Sequence, residues 1–326
     1  MTNALKQIKK QHLYAIVKDI YLHQSSTMNE LSSRLSLSQP SIRNMVRYLQ
    51  DNQAIIEIGN DQSSGGRCPT RFALNQDQYH ILCLYIKHDM IDLELRYINE
   101  ILVKEEFFYD KNQNITVLIE KMTHEYAPHC VCIGVEGIVK GDMYITDHHN
   151  QIENHTWIKD LKDKLKIPVY LQNDVKMMHQ GRYFHHQLNH SYYVHINEVG
   201  IGGSYFEYDG PLYGKNGLSG EMGLIHKKGI TLNQLIRQCQ SQDEFNQYVF
   251  FILEMIITMF DPQLIDISIH HQFTYQKEKI DERLKNYLGH HDICYDIDYQ
   301  EMLFEGLLYT GVVNLMKERI ENNEKI

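Results

Sequence analysis

Glycine is concentrated in one stretch. Eight of the chain's 19 glycines lie between Glu198 and His226 (EVGIGGSYFEYDGPLYGKNGLSGEMGLIH): Gly200, Gly202, Gly203, Gly210, Gly214, Gly217, Gly220 and Gly223. Glycine loses more backbone entropy on folding than any other residue. Such a density therefore marks tight turns or places where something approaches the backbone closely. Gly200-Ile201-Gly202-Gly203 follows an apolar run, Tyr192 to Ile196, that reads as a strand. A strand entering a glycine turn can present backbone N–H groups to an anion. A hairpin with glycine turns is the plainer alternative.

The rest of the chain sets the frame around that stretch. Its 326 residues imply two or three domains, and 43% hydrophobic content is enough for real cores. The strongest apolar run, Phe250 to Phe260, is shorter than the roughly 18–20 residues of a membrane span and contains Glu254. No basic and apolar leader with a small-residue cleavage site opens the sequence, so the expectation is a cytoplasmic protein with no membrane partner. The six cysteines show no CxxC spacing and read as buried free thiols. Histidine pairs such as His148-His149 and His270-His271 lack a second half, so no metal site and no cofactor is expected.

Charge is divided unevenly. Residues 1–74 carry nine Lys and Arg against five Asp and Glu, a balance of +4, which leaves −14 for the remainder of a chain whose total is −10. A basic end on an acidic body suggests one small module that meets a polyanion.

That basic end has a recognisable pattern. Ile8, Leu13, Ile16, Val17, Ile20 and Tyr21 fall at helical spacing. Thr27 followed by Glu30 is a capping-box signal for a second helix. Ser36-Leu37-Ser38 turns the chain, and Ser38 with Pro40 opens a third helix, about Gln39 to Asn52. Ile42, Met45, Val46 and Leu49 make its buried face, while Gln39, Ser41, Arg43, Asn44 and Arg47 make its polar face. This is the helix-turn-helix pattern, in which residues near the start of the second helix of the pair reach base edges in the major groove. A solvated face on a small helical bundle is the alternative. Ala54 to Ile58 and Thr70 to Leu74 then read as two strands of a wing, with Arg67 and Arg71 on or beside a glycine tip suited to the minor groove.

Asn75 to Tyr79 reads as a linker. Beyond it, Ile81 to Ile86, Met90 to Ile98 and Ile101 to Phe108 read as three antiparallel strands, followed by a helix, Ile115 to Tyr126. Val131 to Val135 is a buried strand ending at Glu136-Gly137. Ile167 to Leu171 is another strand, stopping at Gln172-Asn173-Asp174 where a helix begins. Ligands of α/β sheets gather at the carboxyl ends of strands, so Asp174 could accept a sugar hydroxyl or act as a general base. It could equally cap the helix. Helices at Thr231 to Gln240, Asp243 to Phe260, Ile280 to Leu288 and Tyr299 to Ile320 follow, with strands at Leu264 to Ile269 and Ile293 to Ile297.

Taken together, the pieces resemble the ROK family (repressors, open reading frames, sugar kinases), in its repressor branch typified by xylose and N-acetylglucosamine repressors. SSGGRCPTRFALN is similar to the wing and linker of those repressors, CIGVEGIV to the strand and glycine turn before the sugar pocket, and IPVYLQND to the segment ending in the Asn-Asp pair. VGIGGSYFEYDGPLYGKNGLSGEMG resembles the family signature. The resemblance implies an α/β protein: an N-terminal winged helix-turn-helix over residues 1–74, then two lobes of an actin-like ATPase (sugar-kinase-like) fold. These would be residues 75–185, with the final helix at about 299–320 returning to them, and residues 186–298. It also implies that Asn173, Asp174, Glu221 and the backbone of Gly137 hold a sugar.

The sequence departs from the family where nucleotide and zinc would sit. Tyr85 stands where the family's first phosphate motif has an Asp, and Lys87 replaces a glycine. Ser268-Ile269-His270-His271 replaces the adenosine-side glycines. Leu224 follows Gly223 where the family has a His, no cysteine cluster comes after it, and His226 comes two positions late. The expectation is therefore a transcriptional regulator, a repressor of carbohydrate-related genes, without kinase activity. It would bind operator DNA as a homodimer or a dimer of dimers, and a small sugar or sugar phosphate would modulate it. The alternatives are an active sugar kinase with an appended domain, and a regulator whose lobes only oligomerise.

Overall fold

The computed structural model describes residues 3–61, 68–110, 114–148, 151–187, 189–208, 210–285, 292–295 and 297–322. The chain opens with helix Asn3–Leu22, followed by helices Met28–Leu35 and Gln39–Asp51. The second helix starts where the sequence places its cap. Glu30 N–H donates to Thr27 Oγ1 at 3.2 Å, and Thr27 N–H donates to Glu30 Oε2 at 2.7 Å. Ser36, in the left-handed region, ends it, and Ser38 caps the next helix with Pro40 in the first turn. Arg34 donates two bonds of 2.7 Å to the buried Asp19 carboxylate, tying the first two helices together. Strands Ile55–Asn60 and Thr70–Leu74 pair antiparallel as a wing, and Ser26–Thr27 adds a short edge.

This module does not have a core of its own. One continuous hydrophobic cluster runs from Leu13, Ile16 and Ile42 through Tyr79 to Leu307, Leu308 and Val312 of the last helix, Tyr299–Asn322. The stretch Asn75 to Tyr79, expected as a linker, is a short 3-10 turn at Gln76–Gln78 with Tyr79 wholly buried. Arg319 of the last helix donates to the Gln78 carbonyl at 3.0 Å and to its side-chain oxygen at 3.1 Å. Burial of Tyr79 makes a packed joint where the sequence suggested a linker.

Two five-stranded sheets form the body. The first runs in the order Val169–Asn173, Cys130–Val135, Ile81–Ile86, Met90–Arg96, Ile101–Phe108. Its two inner parallel strands are buried along their whole length, as their unbroken apolar runs require. The second runs Gly210–Pro211, Ile201–Glu207, Ser191–Asn197, Leu264–His270, Asp292–Cys294. Helix Asp174–His186 leads from the first sheet to the second and crosses the last helix at two glycines. A Cβ on Gly181 would lie 2.0 Å from the Met302 carbonyl oxygen, and one on Gly306 would lie 2.0 Å from that of Met177.

Sequence reasoning passed over one element. Ile138–Lys140, Met143–His148 and Gln151–His155 form a separate three-stranded antiparallel sheet. Its polar, histidine-rich strands lack the apolar alternation that marks a half-buried strand.

Candidate functional site

The carboxyl ends of the first sheet's strands open onto a cavity of about 270 Å³ between the two sheets. Gly137, Asn173, Asp174 and Glu221 all line it, although Glu221 is 84 residues from Gly137 in the chain. Glu136, Thr146, Asp147, His195, Asn197 and Asn233 line it as well, and sequence reasoning had not placed these in the site. Only Glu136 carried a signal, as a carboxylate at the end of a buried strand.

Local geometry sets what each group can do. Asn173 ends its strand and caps helix Asp174–His186, accepting from Lys176 N–H at 3.0 Å. Its amide donates to the Gly137 carbonyl at 2.8 Å and to Asp174 Oδ1 at 3.2 Å. Asn173 therefore holds the turn at Gly137 and the Asp174 carboxyl in place. Asp174 Oδ1 also accepts from Val175 N–H at 2.8 Å, and Oδ2 accepts from the Tyr85 hydroxyl at 3.3 Å. The buried Tyr85 phenol reaches Glu136 Oε1 at 3.4 Å too, so it stands between two carboxyls. Lys87, two residues on, is committed to Asp92 at 2.8 Å.

Burial dominates the electrostatics. It pushes Asp174 up to about 6 against the hydrogen bonds from Val175 and Tyr85. It pushes Glu136 up to about 7, with the Asp174 charge adding to the rise. Glu221 also rises to about 7, by burial and despite the Lys176 ammonium. Lys176 donates to the Ser219 carbonyl at 3.0 Å. His195 is pushed down to about 4 by burial and is neutral, bonded to Ser268 at 2.7 Å.

The glycine turn is hydrogen-bonded from within. Asn197 Oδ1 accepts from both Val199 and Gly200 N–H at 2.9 Å, and Asn233 Oδ1 accepts from Ile201 N–H at 2.9 Å. Gly203 N–H donates to the Gly220 carbonyl at 2.8 Å. Ser191–Asn197 and Ile201–Glu207 are a hairpin, the plainer of the two sequence readings, and these turn amides face carboxamides and a carbonyl. The glycines are required by this packing. A Cβ on Gly220, at φ +88°, would lie 1.8 Å from the Gly203 carbonyl oxygen. One on Gly223 would lie 1.8 Å from Asn233 Oδ1.

At the cavity's edge Arg237 donates to Asp147 Oδ2 at 3.2 Å and joins the small sheet to helix Leu232–Arg237. Asp147 Oδ1 and Arg237 Nη1 are buried and have no hydrogen-bond partner. Buried polar atoms of this kind are ordinarily satisfied by ordered water or by a bound polar group. His226 is exposed on a two-residue strand. Among the described residues no three His, Cys, Asp or Glu side chains gather as a metal site, and no helix is long and apolar enough to cross a membrane.

At the other end of the molecule, Gln39, Arg43, Asn44 and Arg47 are exposed on helix Gln39–Asp51, and Ser41 is half-buried with its hydroxyl 2.9 Å from Ser38 Oγ. Arg67 lies outside the described residues. Arg71 does not extend from the wing as the sequence suggested. It donates to Asp61 at 2.8 and 2.9 Å and to Glu30 at 3.2 Å, pinning the wing to the capping box. These two acids take its Nε and Nη2 donors.

The two ends are mechanically joined. Tyr21 of the first helix packs against Phe184, near the end of helix Asp174–His186, at 5.3 Å between ring centroids, and against Tyr309 of the last helix at 5.2 Å. Phe184 and Tyr309 meet at 4.8 Å, and Lys18 lies 5.7 Å over the Tyr183 ring.

Comparison with known proteins follows the same outline. The family model "ROK family" matches residues 105–248. The xylose repressor of Staphylococcus xylosus is 23% identical over 226 residues, 64% of this chain and 58% of the repressor. That of Bacillus subtilis (strain 168) is 24% identical over 231 residues, 66% of this chain and 60% of the repressor. The chain thus spans about three fifths of the length of these curated relatives. Among solved structures, a ROK family transcriptional regulator homologous to the E. coli MLC protein superposes with a TM-score of 0.72 at 16% identity, covering 97% of this chain and 98% of that one. A putative N-acetylmannosamine kinase from Listeria monocytogenes gives 0.57 at 15% identity, covering 71% of this chain and 98% of the kinase.

Proposed function

We propose that this ROK family protein is a DNA-binding transcriptional repressor of carbohydrate-related genes, and that a small neutral sugar in the cavity between the sheets modulates its hold on operator DNA. One observation carries the reading: helix Asp174–His186 begins with a carboxyl in the cavity and ends against Tyr21 of the DNA-binding module. At about 1.5 Å per residue, its 13 residues make a rod roughly 20 Å long. A sugar that preferred one setting of this rod would shift the module by that preference alone. The likeness to repressors of the same family, and to a regulator that matches the whole chain, supports the assignment.

On the DNA side, Lys and Arg side chains such as Arg47 supply phosphate contacts and affinity, while helix residues such as Ser41, Arg43 and Asn44 supply sequence choice. Paired half-sites need two modules, hence a homodimer. On the ligand side, Glu136, Asp174 and Glu221 line the cavity, Asp147 is paired with Arg237, and the nearby Lys176 is held by the Ser219 carbonyl. That charge balance favours hydroxyls over a phosphate. It also weighs against nucleotide, as do the Tyr85 phenol at Asp174 and the internally bonded glycine turn.

A gel-shift titration with the DNA upstream of its own operon tests the reading. The expected result is a salt-sensitive, sequence-selective complex that at least one neutral sugar weakens tenfold or more. No selective complex at low salt would refute it. One observation favours a kinase instead: Asp174, pushed up to about 6, is suited to a general base. Sugar-dependent ADP release would establish that reading.

A further inference from the structure

A second cavity of about 200 Å³ adjoins the first, and Glu136 and Thr146 line both. Its wall is aromatic, made by Tyr109, Tyr144, His155 and Trp157. The three-stranded sheet that sequence reasoning passed over builds most of it. Tyr144 and His155 are cross-strand partners in its register, and their rings stack at 4.3 Å and 14°. Trp157, the first residue of the following helix, stands edge-on to Tyr144 at 6.2 Å. Thr146 Oγ1, 3.0 Å from His155 Nε2, fixes the imidazole. The cavity's other polar lining residues are Glu136, shared with the first cavity, Glu153, His88 and Lys87, whose ammonium is held by Asp92 at 2.8 Å.

Size and chemistry bear on what such a place would hold. Small-molecule pockets ordinarily begin at about 300 Å³. Neither cavity reaches that alone; they share Glu136 and Thr146 in their walls, and their volumes together exceed it. An aromatic wall flanked by carboxyls and by a Lys87 ammonium already paired with Asp92 fits a ring that is apolar on its faces and hydroxylated at its edge, which describes a pyranose. A flat aromatic ligand would stack as well, yet would leave the Glu136 carboxyl and the Thr146 side of the junction without donors.

We propose that the second cavity is a second glycosyl subsite, and that the effector is a neutral saccharide of two linked rings. One ring lies over Asp174 and Glu221. The other lies against Trp157 and Tyr144, and Glu136 touches both from the junction. The proposal rests on the reading of the first cavity as a sugar site.

Trp157 is the only tryptophan in the chain, so its fluorescence, excited selectively over tyrosine, reports on this cavity. The full chain is titrated with xylobiose, cellobiose and maltose, and with xylose and glucose, by fluorescence and by calorimetry. At least one disaccharide should shift the Trp157 emission and bind about tenfold more tightly than its monosaccharide, the scale of one aromatic contact. Trp157→Ala should remove that advantage and leave monosaccharide affinity within about twofold, with Trp157→Phe retaining most of it. Melting curves establish that both variants fold. Monosaccharides binding as tightly as disaccharides, with Trp157 emission unchanged, would overturn the second subsite and leave the sugar reading standing. Binding of no saccharide of either length would overturn both.

Discussion

Replacing Asp174 by Asn should stabilise the ligand-free protein at neutral and alkaline pH. Asp174 is buried, and burial raises it from the ordinary aspartate value of 3.8 to about 6. A carboxyl raised in the folded state holds its proton when the unfolded chain has already lost it. Stability is therefore greatest below about pH 4 and is lost as pH rises toward 6. At about 1.4 kcal/mol per factor of ten, keeping this group ionised costs the folded state at most about 3 kcal/mol above pH 7. Asn retains an acceptor for Val175 N–H and can donate to the Tyr85 oxygen, so the local bonds survive the change. Guanidinium unfolding of the parent and Asp174→Asn chains at pH 4 and pH 8 measures the effect. The variant should gain at pH 8 and gain less than about 1 kcal/mol at pH 4. Equal stability of the two chains at pH 8, or a larger gain at pH 4, would refute the argument that desolvation of this carboxyl is the dominant effect. The same variant should lose its response to sugar, because the carboxylate acceptor has gone.

Other expectations follow from the same geometry. Arg43→Ala should weaken operator binding by about 1–3 kcal/mol with no change in melting temperature, since the side chain is exposed. Arg71→Ala should leave the salt slope of DNA binding unchanged, where loss of a phosphate contact would lower it by about one, and should instead raise hydrogen exchange in the wing strands. Gly220→Ala places a Cβ 1.8 Å from a backbone oxygen at positive φ and should cost more than about 4 kcal/mol, read as loss of cooperative unfolding or of soluble protein. Tyr21→Leu keeps an apolar side chain but loses the ring contacts to Phe184 and Tyr309; DNA affinity without sugar should hold while the sugar effect shrinks by about 1 kcal/mol.

Local chemistry made much of this protein legible from its sequence. The capping box at Thr27 and Glu30, the Ser38 cap with Pro40, and the apolar face of Ile42, Met45, Val46 and Leu49 depend on neighbours within one or two turns, and all form as written. The buried strands at Ile81–Ile86 and Cys130–Val135 were equally readable, because strands covered on both faces must be apolar throughout. Asn173 and Asp174 were singled out by a strand ending where a helix begins, and that junction is where the sequence put it. Long-range contacts decided the rest. The Arg71 side chain could have reached solvent or DNA until folding brought Glu30 and Asp61 beside it. The glycine turn could have held an anion until the side chain of Asn233, more than 30 residues away, occupied one of its amides. The polar strands between Ile138 and His155 pair with one another and so need no apolar alternation, which left the aromatic wall hidden in the sequence. Whether a donor is free depends on what the fold brings within 3 Å of it, and a sequence lists the donors without their neighbours.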